Sequence, residues 1–397
     1  MQRDNKLTVL GLFFTRGVGL ADWFDAGIYD REIALYRSHL ENSTFSKVVF
    51  LTYSQRDRII AGELHAQGRL PLQIEVVPAP GWTKRLGRAS SLIYSLVLPI
   101  VSARHLYKCN VFKTNQMEGA LTAVISSLIF RVPLYVRTGY TLTRVVNKTF
   151  RKNVIRRSFA YLTEFIAFNL ADKTSVSSKY DYSYVIRKYN LKNKLPEIIG
   201  NFVDTELFSS NKYDRLERIV FVGRLSPEKN LSALIQACAQ ENIGLDVVGV
   251  GEELENLKNI ANRFGADVNW IGVVPNALLP EVLDGCRYFA LPSLWEGMPK
   301  ALIEAMSMSL VCIGNTATGI SELVDDGMSG FLSTNGTASS LAEAIKRARS
   351  CSHPKVGAAA RAFVLANFSL PSIVKKEERI FSSLLSNKGS DANKVDR

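Results

Sequence analysis

No apolar run in the chain reaches the roughly 20 residues that a membrane-spanning helix needs; the longest, Leu92–Val101 and Ala120–Phe130, stop at about half that length. Histidine is scarce, four in 397 residues, and no two are spaced i,i+4, so a histidine metal site is not expected. The five cysteines, Cys109, Cys238, Cys286, Cys312 and Cys351, are scattered, odd in number and without a C-x-x-C pair. Several sit among apolar neighbours, as Cys238 does between Ala237 and Ala239. That excludes a disulfide framework or zinc site and predicts buried free thiols in a reducing compartment. Acid is in deficit: 49 Lys and Arg face 37 Asp and Glu, a net charge of +12. Such an excess suits an anionic partner, whether nucleic acid, a membrane surface or a phosphorylated substrate. No zinc-finger, RRM or KH pattern is present, so nucleic acid is not expected.

What is present is ordinary for a globular enzyme, 47% hydrophobic and 22% charged. Only the polar end SNKGSDANKVDR lacks an apolar period, and a disordered tail is expected over 388–397. The start, MQRDNKLTVLGLFF, is basic then apolar. Its apolar stretch is too short for a signal peptide, has no A-x-A-like site and runs into a glycine loop, so a buried first strand is predicted.

Short apolar runs alternate with helical patterns. Strands are predicted at 7–14, 48–52, 74–77, 111–113 and 134–137, and again at 219–222, 245–248, 268–271, 288–291 and 311–313. Nearly all-apolar strands alternating with helices imply parallel sheets covered on both faces, an α/β class. The pattern restarts after Gly200-Asn201-Phe202-Val203-Asp204 and a polar stretch. Two Rossmann-like domains follow, 1–212 and 213–365, with a terminal helix over 366–387 returning toward the first.

Ligands of open parallel sheets bind beyond the carboxyl ends of the strands. After the strand ending at Val222 comes Gly223-Arg224-Leu225-Ser226-Pro227-Glu228-Lys229. Glycine admits a close ligand, and Arg224 and Lys229 could converge on one anion; a solvated basic turn is the bland alternative. After Leu291 comes Pro292-Ser293-Leu294-Trp295-Glu296-Gly297-Met298-Pro299-Lys300-Ala301. Pro299 suits the first helical position, Gly297 a tight entry, and the N–H groups of Met298, Lys300 and Ala301 an anion site. Glu296 lies just outside that helix and Glu304 in its second turn. A nucleotide sugar fits: diphosphate at the helix start with Arg224 and Lys229, ribose hydroxyls at Glu304, sugar hydroxyls at Glu296. The alternatives are a dipole-favouring acid and a surface helix residue. Glu304 sits between Ile303 and Ala305, which disfavours the second.

The Glu296…Glu304 spacing resembles the E-x7-E element of retaining GT-B glycosyltransferases, specifically glycosyltransferase family 4. Asn201-Phe202-Val203-Asp204…Phe208, Val222-Gly223-Arg224-Leu225…Glu228-Lys229, Val248-Gly249-Val250-Gly251, Trp270-Ile271-Gly272, Pro292-Ser293…Glu296-Gly297 and Glu322-Leu323-Val324…Gly327…Gly330-Phe331-Leu332 resemble the family's pieces in the same order. The resemblance implies a GT-B fold, two Rossmann-like domains with parallel sheets facing across a cleft. It implies a retaining, metal-independent hexosyltransferase without cofactor, its donor a UDP- or GDP-sugar. Arg224 and Lys229 would neutralise the diphosphate, and Glu296 and the 297–301 backbone would hold the sugar. Residues near Gly272–Val274 would meet the base. Where relatives carry Ala-x-Gly-x-Pro after the second glutamate, this chain reads Ser307-Met308-Ser309-Leu310-Val311. Where many carry a histidine in the first domain, it reads Val136-Arg137-Thr138-Gly139-Tyr140, leaving Arg137 or Thr138 as substitutes.

In the first domain the family places the loop holding Gly17 and Gly19 near donor and acceptor; an ordinary strand–helix turn is as simple. Lys113-Thr114-Asn115-Gln116 should face the same cleft, with Asn115 and Gln116 as acceptor contacts. Arg144, Lys148, Lys152 and Arg156, with Arg151 and Arg157, form one stretch without an acid. They are offset from an apolar row at Val146, Phe150, Val154, Phe159, Leu162 and Ile166. A basic amphipathic segment over Arg144–Arg157 suits an anionic membrane, with a smaller patch at Lys84, Arg85 and Arg88. The expected setting is the inner face of the cell membrane, and the acceptor a saccharide or lipid-linked one in bacterial polysaccharide or lipopolysaccharide assembly. Rival readings are a sugar-nucleotide epimerase, a phosphorylase, or a non-catalytic nucleotide-sugar-binding or membrane scaffold.

Overall fold

The computed structural model describes residues 8–83, 90–149, 153–210 and 214–395. The chain divides into two compact units, residues 1–199 with 374–397, and residues 200–373. The first holds a seven-stranded sheet: β1 (Val9–Phe13), β2 (Lys47–Leu51), β3 (Ile74–Val77), β4 (Val111–Thr114), β5 (Leu134–Arg137), β6 (Lys173–Val176) and β7 (Glu197–Ile198). The second holds a six-stranded sheet: β8 (Leu216–Val222), β9 (Gly244–Val248), β10 (Val268–Gly272), β11 (Cys286–Leu291), β12 (Val311–Asn315) and β13 (Gly330–Ser333).

Both sheets are parallel throughout and share one strand order. The first runs β3-β2-β1-β4-β5-β6-β7 and the second β10-β9-β8-β11-β12-β13. Val111 pairs with Leu10 at the centre of the first, and Tyr288 with Ile219 at the centre of the second. Burial on both faces explains the unbroken apolar runs: Phe221, Ile219, Phe289 and Tyr288 are all inaccessible. The parallel, doubly covered sheets expected from the sequence are thus present in each unit. All five cysteines are free, four buried and Cys351 half-buried.

Lys113 does not face a ligand edge. It is fully buried in β4, its Nζ 2.7 Å from both carboxylate oxygens of Glu377 in helix Leu370–Val395. His39 Nε2 lies 3.0 Å from Glu377 Oε2, and neither side chain is exposed. Tyr36, Tyr135 and Phe381 surround the ammonium at 5.1, 5.8 and 5.9 Å. This triad ties the returning helix into the first unit.

The basic stretch is not one helix. It forms Leu142–Thr149 and Val154–Leu170. Asn153 restarts the chain as a helix by accepting a bond from Arg156 N at 3.0 Å. Arg144 is paired with Asp181 at 2.7 Å. Phe150, Arg151, Lys152, Lys84, Arg85 and Arg88 lie outside the described residues, as do the side chain of Lys148 and the patch they were expected to form. No described helix is long and apolar enough to cross a membrane.

Candidate active site

The second sheet reverses its strand order between β8 and β11. At such a point the two loops part to opposite faces and leave a crevice at the strands' carboxyl ends. The residues read from the sequence leave those two strands: Gly223–Lys229 from β8 and Pro292–Lys300 from β11.

The structure brings the two loops together. Lys229 Nζ sits 2.6 Å from Glu296 Oε1, and Ser293 Oγ donates to that same oxygen at 2.7 Å. Both bonds fall on Oε1. Asn230, at φ 57°, donates through Nδ2 to Gly336 O at 2.9 Å and Pro292 O at 3.3 Å. Leu294 N donates to Glu228 O at 2.9 Å. Arg224 is exposed and makes no ion pair among the described residues. Burial pushes the Glu228 carboxyl up, but the Ser226 hydroxyl and the Lys229 and Arg224 charges outweigh it and hold it below its ordinary value. The turn is therefore a positively charged environment.

Glycine shapes this loop from behind. A Cβ on Gly249, at φ +132°, would lie 1.9 Å from Gly223 O, and one on Gly251 would lie 2.1 Å from Leu225 O. The Val248–Gly251 stretch thus clears space for the Arg224 turn. Gly249→Ala is expected to cost at least the roughly 1–3 kcal/mol of an overpacked core, read as a lower urea midpoint. Gly62→Ala, in an open helical position, should be neutral or slightly stabilising.

Glu304 is only 5% exposed, and Asn276 Nδ2 donates to its Oε1 at 3.2 Å. Asn276 opens a short turn after β10, close in sequence to the Gly272–Val274 stretch expected near the base. Its part was not read from the sequence; its place just past a strand's carboxyl end was the signal available. Helix Lys300–Ser307 starts one residue later than expected. Pro299 stands at the N-cap, extended at φ −73° and ψ 109°, and no side chain caps the helix. Helix starts of this kind attract anions through their first-turn N–H groups. Asn201 Nδ2 donates to Met298 O at 2.8 Å, and Lys300 Nζ lies 5.9 Å from the Phe202 ring. Gly319, at φ +85°, lets the loop after β12 pass beneath: its Cβ would lie 2.4 Å from Gly297 O. No group of three His, Cys, Asp or Glu side chains suited to a metal occurs among the described residues.

The first sheet has its own switch point, between β1 and β4. Gly17 turns the loop after β1 at φ +81°. Gly19 N–H donates to Asp22 Oδ2 at 2.6 Å, and a Cβ on Gly19 would lie 2.3 Å from Asp57 Oδ2. Burial raises the Asp57 carboxyl. Asn115 is buried, its N–H donating to Phe13 O at 2.9 Å. Gln116 Oε1 accepts from Gly139 N at 2.8 Å, tying the loop of β4 to that of β5. Arg137 is buried at the end of β5, and the Thr138 hydroxyl donates to Tyr140 O.

A cavity of about 520 Å³ lies at the other end of the second sheet, beside the amino ends of β8, β11 and β12. Its arginines are already engaged: Arg215 with Asp284 and Met308 O, Arg287 with Glu217, Arg361 with Ser307 O. Arg215 and Arg361 thereby cap the carboxyl end of helix Lys300–Ser307.

Residues 202–361, within the second unit, match the family model of glycosyl transferases group 1. The chain is 28% identical over 272 residues to a UDP-Gal:alpha-D-GlcNAc-diphosphoundecaprenol alpha-1,3-galactosyltransferase of Escherichia coli, covering 60% of this chain and 67% of that one. It is 33% identical over 161 residues to the amylovoran biosynthesis glycosyltransferase AmsK of Erwinia amylovora, covering 36% of this chain and 40% of that one. The match thus spans less than half of AmsK. Among solved structures, Anabaena HepE in complex with UDP and glucose superposes with a TM-score of 0.70 at 20% identity, over 95% of this chain and 100% of that one. Sucrose-phosphate synthase of Thermosynechococcus elongatus gives 0.72 at 16% identity, over 96% and 100%. At those identities the likeness bears on the fold alone, and the fold is that of the GT-B glycosyltransferases.

Proposed function

We propose that the chain is a glycosyltransferase that moves a sugar, with retention of configuration, from a nucleotide-diphosphate donor to a saccharide or lipid-linked acceptor in bacterial cell-surface polysaccharide or lipopolysaccharide synthesis. One observation carries this reading: at the β8/β11 switch point, Arg224 and the Lys229–Glu296–Ser293 cluster stand at the carboxyl ends, with buried Glu304 on the adjoining helix. The match to group 1 transferases and the names of the relatives support it. The second unit, residues 200–373 rather than the 213–365 expected, is the donor domain, and the first, residues 1–199 with 374–397 rather than 1–212, is the acceptor domain.

Arg224 and Lys229 take the diphosphate, aided by the start of helix Lys300–Ser307. Glu304 accepts from the ribose hydroxyls. Glu296, held through Oε1, offers Oε2 to the donor sugar. As the C1–oxygen bond to the diphosphate breaks, the acceptor oxygen bonds C1 from the same face. The acceptor proton passes to the departing phosphate oxygen. The two cations meet the leaving group's growing charge, which is where a preorganised site lowers the barrier most. No metal enters this scheme, so turnover should persist in a chelator. On the acceptor side, Gly17, Gly19, Asn115, Gln116, Arg137 and Thr138 remain the residues to vary.

UDP is the first donor nucleotide to try, because HepE is described with UDP and the Escherichia coli relative is named for UDP-Gal. Thermal unfolding with UDP, GDP or ADP tests the site. A nucleotide at 100 times its dissociation constant adds about 2.7 kcal/mol to the folded state. The expected result is a melting temperature raised by one nucleotide in the wild type and not in Arg224→Ala. An equal shift in the variant would remove Arg224 from the site. No shift with any nucleotide, together with no transfer to any acceptor, would favour a non-catalytic scaffold.

A further inference from the structure

Helix Val154–Leu170 turns the unexpected side to the sheet. It buries Ala160, Thr163, Glu164, Ala167 and Phe168, while Ile155 is 83% and Leu162 52% exposed. A surface helix ordinarily lays its branched apolar stripe on the core and leaves small and polar residues in water. The inward side is nonetheless built: Thr143 Oγ1 donates to Glu164 Oε2 at 2.7 Å, and the Tyr189 hydroxyl donates to the same oxygen at 2.5 Å.

Its neighbours do the same. Right-handed crossovers from β3 to β4, β4 to β5 and β5 to β6 all advance in one direction across the sheet, so their helices share one face. Helix Ala120–Phe130 packs between helix Ser90–Val101 and helix Val154–Leu170. The middle helix buries Thr122 and Ser126 and exposes Leu128 and Ile129. Helix Ser90–Val101 buries Tyr94 and Ser95 and exposes Leu96 and Ile100. Thr122 Oγ1 donates to Ser95 O at 3.1 Å, locking polar side against polar side. The three adjacent helices carry no exposed Asp or Glu, for their one acid is the buried Glu164. Arg104, Arg131, Arg156 and Arg157 are exposed around them.

We propose that this three-helix face is the docking surface for an anionic lipid bilayer. Its branched side chains enter the acyl boundary and its arginines meet the headgroup phosphates. A contiguous apolar face of this kind marks an interaction site. The layered order of hydrocarbon and phosphate in a bilayer matches apolar centre and basic rim. A second copy would bring arginine against arginine, on a chain of net charge +12. The face also runs up to the loop after β1. A Cβ on Gly17 would lie 3.3 Å from Ser91 Oγ, and the Arg16 guanidinium lies 5.0 Å from the Phe159 ring. A lipid-borne acceptor in the same bilayer is thereby brought to the carboxyl ends of β1 and β4. This inference rests on the lipid-linked acceptor proposed above and on the membrane setting expected from the sequence, but not on transferase activity. It moves the contact from the Arg144–Arg157 stretch to an apolar face.

The full chain is sedimented with vesicles of phosphatidylglycerol and phosphatidylcholine, and with phosphatidylcholine alone, and compared with the double variant Leu128→Asp/Ile155→Asp. Both substituted side chains are well exposed, and far-UV circular dichroism checks folding. The expected result is pelleting with the anionic vesicles that drops about tenfold or more in the variant and survives in part at about 0.5 M salt, where exposed charges are screened. A Leu162→Trp reporter should be quenched by acyl-brominated lipid, and this reading does not depend on the aspartates. Absence of pelleting, equal pelleting of the variant, or complete release by salt overturns the proposal. So does a wild-type dimer that the variant converts to monomer, which would make the face a contact between copies. Vesicle binding without a UDP shift would sink the donor-site reading alone.

Discussion

Lys229→Ala is expected to lower kcat by roughly 10²–10³-fold or more, the range seen when one preorganised charge-stabilising group is removed, with little change in melting temperature. Two effects combine. The departing diphosphate loses a cation, and Glu296 loses the partner that fixes its Oε1. Ser293 still holds Glu296, so the loop should stay in place. Lys229→Arg should recover only part of the rate, since a planar fork cannot put its charge where an ammonium sits 2.6 Å from the carboxylate. Nucleotide release under saturating donor and acceptor is the measurement. A variant that keeps wild-type kcat while its KM alone rises would make Lys229 a ground-state contact. Arg224→Ala should fall in the same class, with the double variant less than multiplicative because both cations serve one leaving group.

Glu377→Ala is expected to destabilise the first unit by roughly 3–5 kcal/mol, the cost of leaving a buried charge without its partner. Lys113, shut among Tyr36, Tyr135 and Phe381, has no water to turn to. Burial pushes the Lys113 ammonium below its ordinary value, against the pull of Glu377. Glu377 is pushed up by burial, yet the Lys113 charge outweighs this and holds its carboxyl at about 2, below the ordinary 4.5. Since its folded value lies below the unfolded one, the unfolded chain binds the extra proton between them. The stabilisation is therefore complete above pH 4.5 and drains away as pH falls toward 2. Urea midpoints between pH 6 and pH 3 should show this slope in the wild type. The double variant Lys113→Met/Glu377→Leu should flatten the slope, leaving the share of other carboxylates such as Glu228, and should regain part of the stability, because an apolar pair avoids desolvating charge while His39 loses its partner. A single Glu377→Ala protein as stable as the wild type would remove the triad from any structural role.

The ten strands read from the sequence all occur, each within three residues of its expected ends, the largest difference being the strand expected at 219–222, which begins at Leu216. Doubly buried strands announce themselves as apolar runs. The unread strands are instructive: Lys173–Val176 mixes lysine, threonine and serine, Glu197–Ile198 is very short, and Gly330–Ser333 follows a turn-rich loop. That Lys229 and Glu296 stand in one region was legible, because each follows a strand end and parallel topology sets those ends side by side; the ion pair between them was not read. Asn276 beside Glu304 was not, since its strand, β10, lies three places from β11 in the sheet. The Lys113 ion triad escaped altogether. Its partner is 264 residues away, and nothing local distinguishes an inward lysine at a strand end from an outward one. Helical period gave two faces for Val154–Leu170 but not which faces inward; Glu164, accepting from Thr143 and Tyr189, decides that.

The separation between Lys113 and Glu377 also sets a schedule. A ribosome adding about 5–20 residues per second delivers the carboxylate roughly 13–53 s after the lysine, across an interval of 264 residues. Throughout that time β4 has emerged with a cation that its own neighbourhood cannot neutralise, while residues 200–373 form an uninterrupted stretch that can close on itself. The nascent chain is thus expected to complete residues 200–373 first, and its earliest-made sheet to wait for the last described helix to be translated.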